Sequence, residues 1–269
     1  MDIFGTWRLG RLGINPHPIF EFLAYGLAFQ YYRRLRATQN DPLGASNRLW
    51  ILMGGFLGGL LFSKSLGGME ATLLHPGNWH AGEWLAGKSV VGGLLGGLLG
   101  VELVKLRLGV RQSSGDLFCF PIILGMMIGR VGCFLAGLED GTYGLPTHVS
   151  WGIDFGDGIP RHPTQLYDLI FLALLWIVLK ALEIRLRPGL KFQLFLAAYL
   201  GYRFLVEFLK PTHTIAAGLS VLQIACLLGL IYYLLTWCFP GSFLDRTRYP
   251  DRPMRIPDTP HPVPVEAEK

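Results

Sequence analysis

Charged residues are scarce in this sequence: Asp, Glu, Lys and Arg make up 16% of its 269 residues, against 51% that are hydrophobic. The apolar residues fall in blocks of membrane-spanning length, which excludes an ordinary soluble domain and points to an integral membrane protein. Cysteine is scarce too. The four, at 119, 133, 226 and 238, lie within or at the edge of apolar blocks, where thiols behave as small apolar residues. Neither a disulfide framework nor a zinc-ligand spacing is visible. Residues 1–18 hold no apolar core long enough for a cleavable signal, so the first apolar block is expected to serve as its own insertion signal. The net charge is only +5, from 24 Lys and Arg against 19 Asp and Glu. In a bilayer protein its distribution matters more than its total, and it needs no nucleic acid to explain it.

A bilayer crossing takes about 20 apolar residues. Blocks near 18–35, 49–63, 89–106, 117–137, 165–184, 192–209 and 216–238 predict an all-α bundle of about seven transmembrane helices. Lys and Arg should collect in cytoplasmic loops. They follow the first block at Arg33, Arg34, Arg36 and Arg48, the third at Lys105, Arg107 and Arg111, the fifth at Lys180, Arg185, Arg187 and Lys191, and the seventh from Arg246 to Lys269. The alternate segments hold only Arg8, Arg11, Lys64, Lys88, Arg161 and Lys210. This alternation predicts an outside N-terminus and a cytoplasmic C-terminus. Residues 1–238 thus read as one polytopic membrane domain, and 239–269 as a Pro-rich, basic cytoplasmic tail whose composition predicts disorder. Glycines at 54, 55, 58 and 59, and again at 92, 93, 96, 97 and 100, recur at four-residue spacing, which lets helix backbones approach closely.

Two arginines stand out. Arg130 closes the apolar run that begins at Leu117, and Arg203 sits inside the apolar segment 192–209 with Glu207 four residues on, on the same helical face. A charge at bilayer depth costs roughly 2.5–3.5 kcal/mol on insertion scales, which a cavity or an opposite charge offsets. Either Arg203 simply pairs with Glu207 while Arg130 snorkels to the head groups, or the two guanidiniums converge on one buried anion. Two long connections lie outside the blocks. Residues 66–88 carry Glu70, His75, Trp79, His80, Glu83 and Trp84, and residues 138–164 carry Glu139, Asp140, Tyr143, His148, Trp151, Asp154, Asp157, Arg161 and His162. Their tryptophans fit a head-group belt. The run from Asp154 to Gly158 lacks the further ligands of a calcium loop and reads as a solvated turn.

The stretch from Gly129 through Arg130-Val-Gly-Cys133-Phe-Leu-Ala136-Gly137-Leu138-Glu139-Asp140-Gly141 resembles the signature of the bacterial prolipoprotein diacylglyceryl transferase family. Tyr25-Gly26 in the first block, His162-Pro-Thr-Gln-Leu-Tyr167, the helix Tyr199-x-x-x-Arg203-x-x-x-Glu207-Phe, and Gly218 to Gln223 resemble further blocks of that family in the same order. Four polar positions depart from its pattern: Val91 stands where the family has a histidine before Gly92-Gly93, Cys133 and Ala136 stand for asparagines, and Leu138 for glutamate, with Glu139 one residue late.

The resemblance implies a transferase that moves the diacylglyceryl unit of phosphatidylglycerol, or a similar anionic phospholipid, onto the cysteine thiol of a lipoprotein precursor in the bacterial inner membrane. Such a reaction needs positive charge on the phosphate whose ester oxygen leaves, and a group that takes the thiol proton. Arg130 and Arg203 are the expected phosphate ligands, since guanidinium pairs bidentately with phosphate and stays protonated. Glu207 is expected to orient Arg203 or act as base. Tyr25, Tyr199, Gly92, Gly93, Glu139 and Gly141 are expected around the head group. Without a histidine at 91, the proton acceptor is sought among His162, Glu139 and Asp140, and Cys133 beside Arg130 is a candidate nucleophile. No metal or nucleotide cofactor is implied. Two rival expectations are a paralogue that transfers a lipid-derived group to another acceptor, and a non-catalytic phospholipid-binding membrane protein.

Overall fold

A computed structural model describes residues 4–9, 12–39, 41, 43–74 and 87–239. Among them are seven helices: α1 (Pro16–Thr38), α2 (Ala45–Leu74), α3 (Val90–Leu108), α4 (Asp116–Ala136), α5 (Thr164–Leu182), α6 (Leu190–Val206) and α7 (Val221–Cys238). Five are long and apolar enough to cross a membrane: α2, α4 with the short 3-10 helix Gly137–Asp140, α5, α6 with the 3-10 turn Glu207–Leu209, and α7. The remaining two, α1 and α3, carry Glu21, Arg33, Arg34 and Arg36, and Glu102, Lys105 and Arg107. The chain is a mostly helical, multi-pass membrane protein. His75, Trp79, His80, Glu83 and Trp84, and the tail beyond residue 239, lie outside the described residues.

Local chemistry sets most helix ends. Asn15 caps α1 by accepting from His17 N at 2.8 Å, with Pro16 supplying a preset φ at the first position. Ser89 caps α3, and Gly109, at φ +68°, ends it. Ser220 and Gln223 form a reciprocal capping box at α7. That box, together with a hairpin of Thr214–Ala216 and Leu219–Ser220, moves the start of α7 to Val221 instead of residue 216.

The main correction concerns α2. The expected block ended at residue 63, where Lys64, Gly67 and Gly68 dilute the hydropathy, but the helix runs on to Leu74. No proline interrupts it, and the extension is held against the start of α3: Ser89 N donates to Ser63 O at 3.2 Å, and a Cβ on Gly67 would meet the backbone of Gly87 and Lys88. Thirty residues at about 1.5 Å each exceed the ~30 Å hydrocarbon layer, so the extra turns emerge from it.

The glycine stripe does what its spacing predicts. Gly54 and Gly58 of α2 face Gly96 and Gly100 of α3 so closely that a Cβ on any of them would overlap the partner helix. On the other side α1 lies along α4, with Gly132 against Phe20 and Gly125 against Ala28. The buried core joins α4 to α7 through Phe120, Ile123, Leu172, Leu196, Leu200 and Cys226. The outer faces carry exposed Ile170, Leu174, Ile177 and Leu228, as expected where lipid is the solvent.

Between α4 and α5, strands Ile153–Asp154 and Pro160–Arg161 form a small hairpin. Its tip is a polar turn: Asp154 Oδ1 accepts from the N–H groups of Gly156, Asp157 and Gly158.

Candidate active site

The C-terminal half of α4 brings Arg130 to the wall of a cavity of about 820 Å³ between α1, α3 and α4. Its polar end is lined by His17, Glu21, Lys88, Arg130, Cys133 and Asp140; its apolar reach includes Phe29, Leu94, Phe118 and Ile122. The shape is that of an amphiphile's chamber, charged at one end and greasy along the rest.

Arg130 does not snorkel. It is 9% exposed, and its Nε lies 2.6 Å from Asp168 Oδ2 on α5. Thr164 anchors the start of α5 by donating to Thr142 O at 2.7 Å, which fixes the turn that carries Asp168. Arg203, 8% exposed, places Nη2 2.9 Å from Glu207 Oε2, as the four-residue spacing predicts. Its Nη1, both side-chain polar atoms of Gln165 and the Tyr199 hydroxyl have no hydrogen-bond partner among the described residues. Groups so buried are normally paired, and none of these three residues lines the cavity. Lys210, 8% exposed, faces the same cluster and feels Arg203, Arg130, Asp168 and Glu207.

The expectation that both guanidiniums meet in one hollow is met only halfway. Arg203 lies within electrostatic reach of Arg130, Asp168 and Tyr199, but the cavity wall contains Arg130 and not Arg203. Asp168 is the link, because it also feels both arginines and Lys210.

The other expected residues separate into two groups. Tyr25 and Gly93 line the cavity, and the Tyr25 hydroxyl donates to Glu21 Oε1 at 2.8 Å. Cys133 lies there too, 3.9 Å from Arg130 Nη1 and 3.7 Å from His17 Nδ1. The rest have structural work. Gly92 packs against the Phe62 backbone. Glu139 accepts from Thr6 and Asn15, tying the N-terminal segment to the end of α4. Gly141, at φ +67°, ends the short helix. His162 Nδ1 is 3.1 Å from the Tyr167 hydroxyl, which accepts from Trp151 Nε1, and none of the three is in the cavity wall. Val91 is buried in the apolar core, and Ala136 is fully buried at the end of α4.

Sequence reasoning missed His17, Glu21, Asp168 and Lys210. The signals were present: His17 and Glu21 stand four residues apart at the start of a helix, and Asp168 directly follows the block His162–Tyr167. His17 Nδ1 lies 2.6 Å from Asp140 Oδ1, and together with Cys133 these form a donor set able to hold a metal ion.

Fold and site define a class: a multi-pass helical membrane protein whose buried guanidinium opens on an amphipathic, lipid-sized cavity. Comparison with known proteins narrows it. The model of the prolipoprotein diacylglyceryl transferase family matches residues 6–239. The phosphatidylglycerol–prolipoprotein diacylglyceryl transferase of Geobacter sulfurreducens is 35% identical over 217 residues, covering 76% of this chain and 80% of that protein. Those of Bordetella bronchiseptica and Nitrosospira multiformis are 32% and 33% identical, covering 80% and 81% of this chain and 87% and 78% of their own lengths. The chain belongs to the prolipoprotein diacylglyceryl transferase family.

Proposed function

We propose that the protein is a diacylglyceryl transferase of the bacterial inner membrane, taking its donor from an anionic phospholipid such as phosphatidylglycerol and passing it to the cysteine thiol of a lipoprotein precursor. The observation that carries this reading is the Arg130 guanidinium at the polar end of the 820 Å³ cavity. In this reading the donor's acyl chains lie among Phe29, Leu94, Phe118 and Ile122, and its phosphate meets Arg130. A guanidinium there stabilises the charge that develops on the leaving phosphate oxygen. Arg203, oriented by Glu207, adds positive potential from behind Asp168, and Lys210 adds to it.

The topology proposed with it has seven spans, an outside N-terminus and a cytoplasmic C-terminus, followed by a disordered tail over 239–269. Both α1 and α3 then cross the bilayer with their charged ends at its surface. The site falls at the outer face, where a precursor thiol arrives after export.

The test is to incubate purified protein with phosphatidylglycerol liposomes and a peptide carrying a lipoprotein-type cysteine. The reading expects a diacylglyceryl thioether on the peptide and release of glycerol phosphate, both lost with Arg130→Ala in protein that remains folded. Phospholipid bound without turnover would identify a lipid-binding protein instead. Release of glycerol phosphate without thioether would identify a different acceptor, which the departures at Val91, Cys133, Ala136 and Leu138 favour as the second reading.

A further inference from the structure

His17, Cys133 and Asp140 come from the first turn of α1, the last turn of α4 and the short helix after it, yet one ligand atom of each lies within 4.8 Å of the others. All three line the cavity beside Arg130. We propose that this trio is a zinc site with one coordination position open to the cavity, and that the metal activates the acceptor thiol. The metal's catalytic role rests on the transferase reading; the binding site itself does not.

The donor set fits the ion. Thiolate, imidazole and carboxylate are zinc's ordinary protein ligands, and three of them with a fourth position free is the pattern of reactive, not structural, sites. Ordinary bond lengths in a tetrahedron place sulfur and nitrogen about 3.5 Å apart, and nitrogen and oxygen about 3.4 Å apart. The Sγ to Nδ1 separation is 3.7 Å, and the Nδ1 to Oδ1 separation is 2.6 Å. The ion would therefore replace the proton between His17 and Asp140, with the carboxylate withdrawing by under 1 Å, roughly, to reach metal-ligand spacing. Asp140 sits at the end of a four-residue 3-10 helix that turns off at Gly141.

The surroundings are those of a ligand shell. His17 Nε2 points to Glu21 Oε2 at 3.8 Å, and Glu21 is itself held by Lys88 Nζ and the Tyr25 hydroxyl, each at 2.8 Å. At 3.8 Å Glu21 is beyond hydrogen-bond reach of the ring and acts on it only through its charge. Thr142 Oγ1 donates to the other oxygen of Asp140. Charge balances as well: thiolate and carboxylate offset the dication, while Arg130, 3.9 Å from Sγ, already has Asp168 as its counter-charge.

A coordinated thiol is deprotonated at neutral pH. The acceptor thiol takes the open position and gives its proton to the hydroxide it displaces, which leaves as water. Its sulfur then attacks the glyceryl carbon bearing the phosphate ester. The C–S bond forms as the C–O bond breaks, and the electron pair leaves on the phosphate, where Arg130 meets it. A metal in this position accounts for Cys133 where the family has asparagine, and for the loss of histidine at Val91.

The test uses untagged, full-length protein in detergent, stripped with a chelator and titrated with cobalt(II) alone. One cobalt per chain is expected, with a thiolate-to-cobalt charge-transfer band that zinc abolishes. Cys133→Ser should lose the band, and His17→Gln and Asp140→Asn should each weaken affinity at least about 10-fold. Thermal unfolding of each variant separates ligand loss from misfolding, and the wild-type spectrum needs no variant. Folded wild-type protein that takes up no cobalt, or takes it up without the band, overturns the site. For the role, stripped protein should lose transfer at least about 100-fold and regain it with zinc; full turnover without metal overturns that role while the transferase reading stands. Stoichiometric metal with no transfer under any condition sinks the transferase reading and leaves the site.

Discussion

Replacing Asp168 with Asn removes one oxygen's charge and almost no volume, and it tests the central electrostatic arrangement. Asp168 is 1% exposed and receives Arg130 Nε at 2.6 Å. Two further cations, Arg203 and Lys210, feel the same carboxylate. Glu207 pairs with Arg203, and Glu70 interacts with Arg203 and Lys210, so removing Asp168 takes away the carboxylate in contact with Arg130. Breaking a buried pair by deleting one partner costs about 3–5 kcal/mol, because the survivor stays buried and unpaired. For a chain of this size that is a fall in Tm on the order of 10 °C. Arg130→Gln should cost less, since Asp168 keeps two other cations, and the double variant Arg130→Gln/Asp168→Asn should recover part of the loss. The cycle should give a coupling of about 1–3 kcal/mol. Thermal unfolding in a fixed detergent and phospholipid mixture measures all four corners. Transfer should be lost in both variants that lack Arg130, the double one included, because stability recovers without the phosphate ligand. A coupling below about 0.5 kcal/mol, or Asp168→Asn with wild-type Tm, would refute the assignment of Asp168 as the counter-charge that holds Arg130.

Three further outcomes follow from the same geometry. Gly58→Leu should disrupt the α2 and α3 pair, because its Cβ would meet the Gly96 carbonyl; a loss of about 1–3 kcal/mol from overpacking would appear as lower Tm, whereas Gly26→Ala, which meets nothing, serves as the matched control. Glu207→Gln should reduce transfer but leave it measurable, since the orienting contact to Arg203 at 2.9 Å becomes a neutral hydrogen bond; abolition with unchanged Tm would instead make Glu207 the base. In the turn after α1, burial works against the Asp41 carboxylate, but hydrogen bonds from Arg48 and Leu43 N–H and the charges of Arg48 and Arg36 outweigh it and hold its pKa below the usual value. Its contribution is therefore complete above the unfolded Asp value of about 3.9 and is lost as pH falls through the depressed folded value; Asp41→Asn should lower Tm at pH 7 and flatten its fall in acid.

Apolar length made the fold legible wherever a helix ends when its hydropathy ends. The blocks place α1, α3, α4, α5 and α6 within a few residues of their observed bounds. They fail at α2, where Ser63 to Gly68 look like an exit from the bilayer but the backbone has neither a proline nor a cap to stop it. The glycine pattern was legible for the same reason as the blocks, because a four-residue repeat states a contact surface directly. Arg203 with Glu207 was legible because both lie on one helix. Arg130 with Asp168 was not, since the pair joins α4 to α5 and nothing in spacing along one helix reports a contact between two.

The relation between the family pattern and this chain becomes clearer once the contacts are known. The four altered positions, Val91, Cys133, Ala136 and Leu138, look in sequence like a site losing its polar groups. Val91 belongs to the apolar core with Leu172 and Leu196, so a histidine placed there would enter a buried apolar setting. Meanwhile α1 delivers His17 and Glu21 to the cavity wall, opposite Cys133 and Asp140. Helix α1 can do this because small residues on α4, Gly125 and Gly132, let it approach, and because Asn15, held by Glu139, fixes the first turn. Glu139 thus shapes the site without entering it. Val91 and Ala136 are thus apolar packing positions, while the polar wall beside Arg130 is built by α1 together with Cys133 and Asp140.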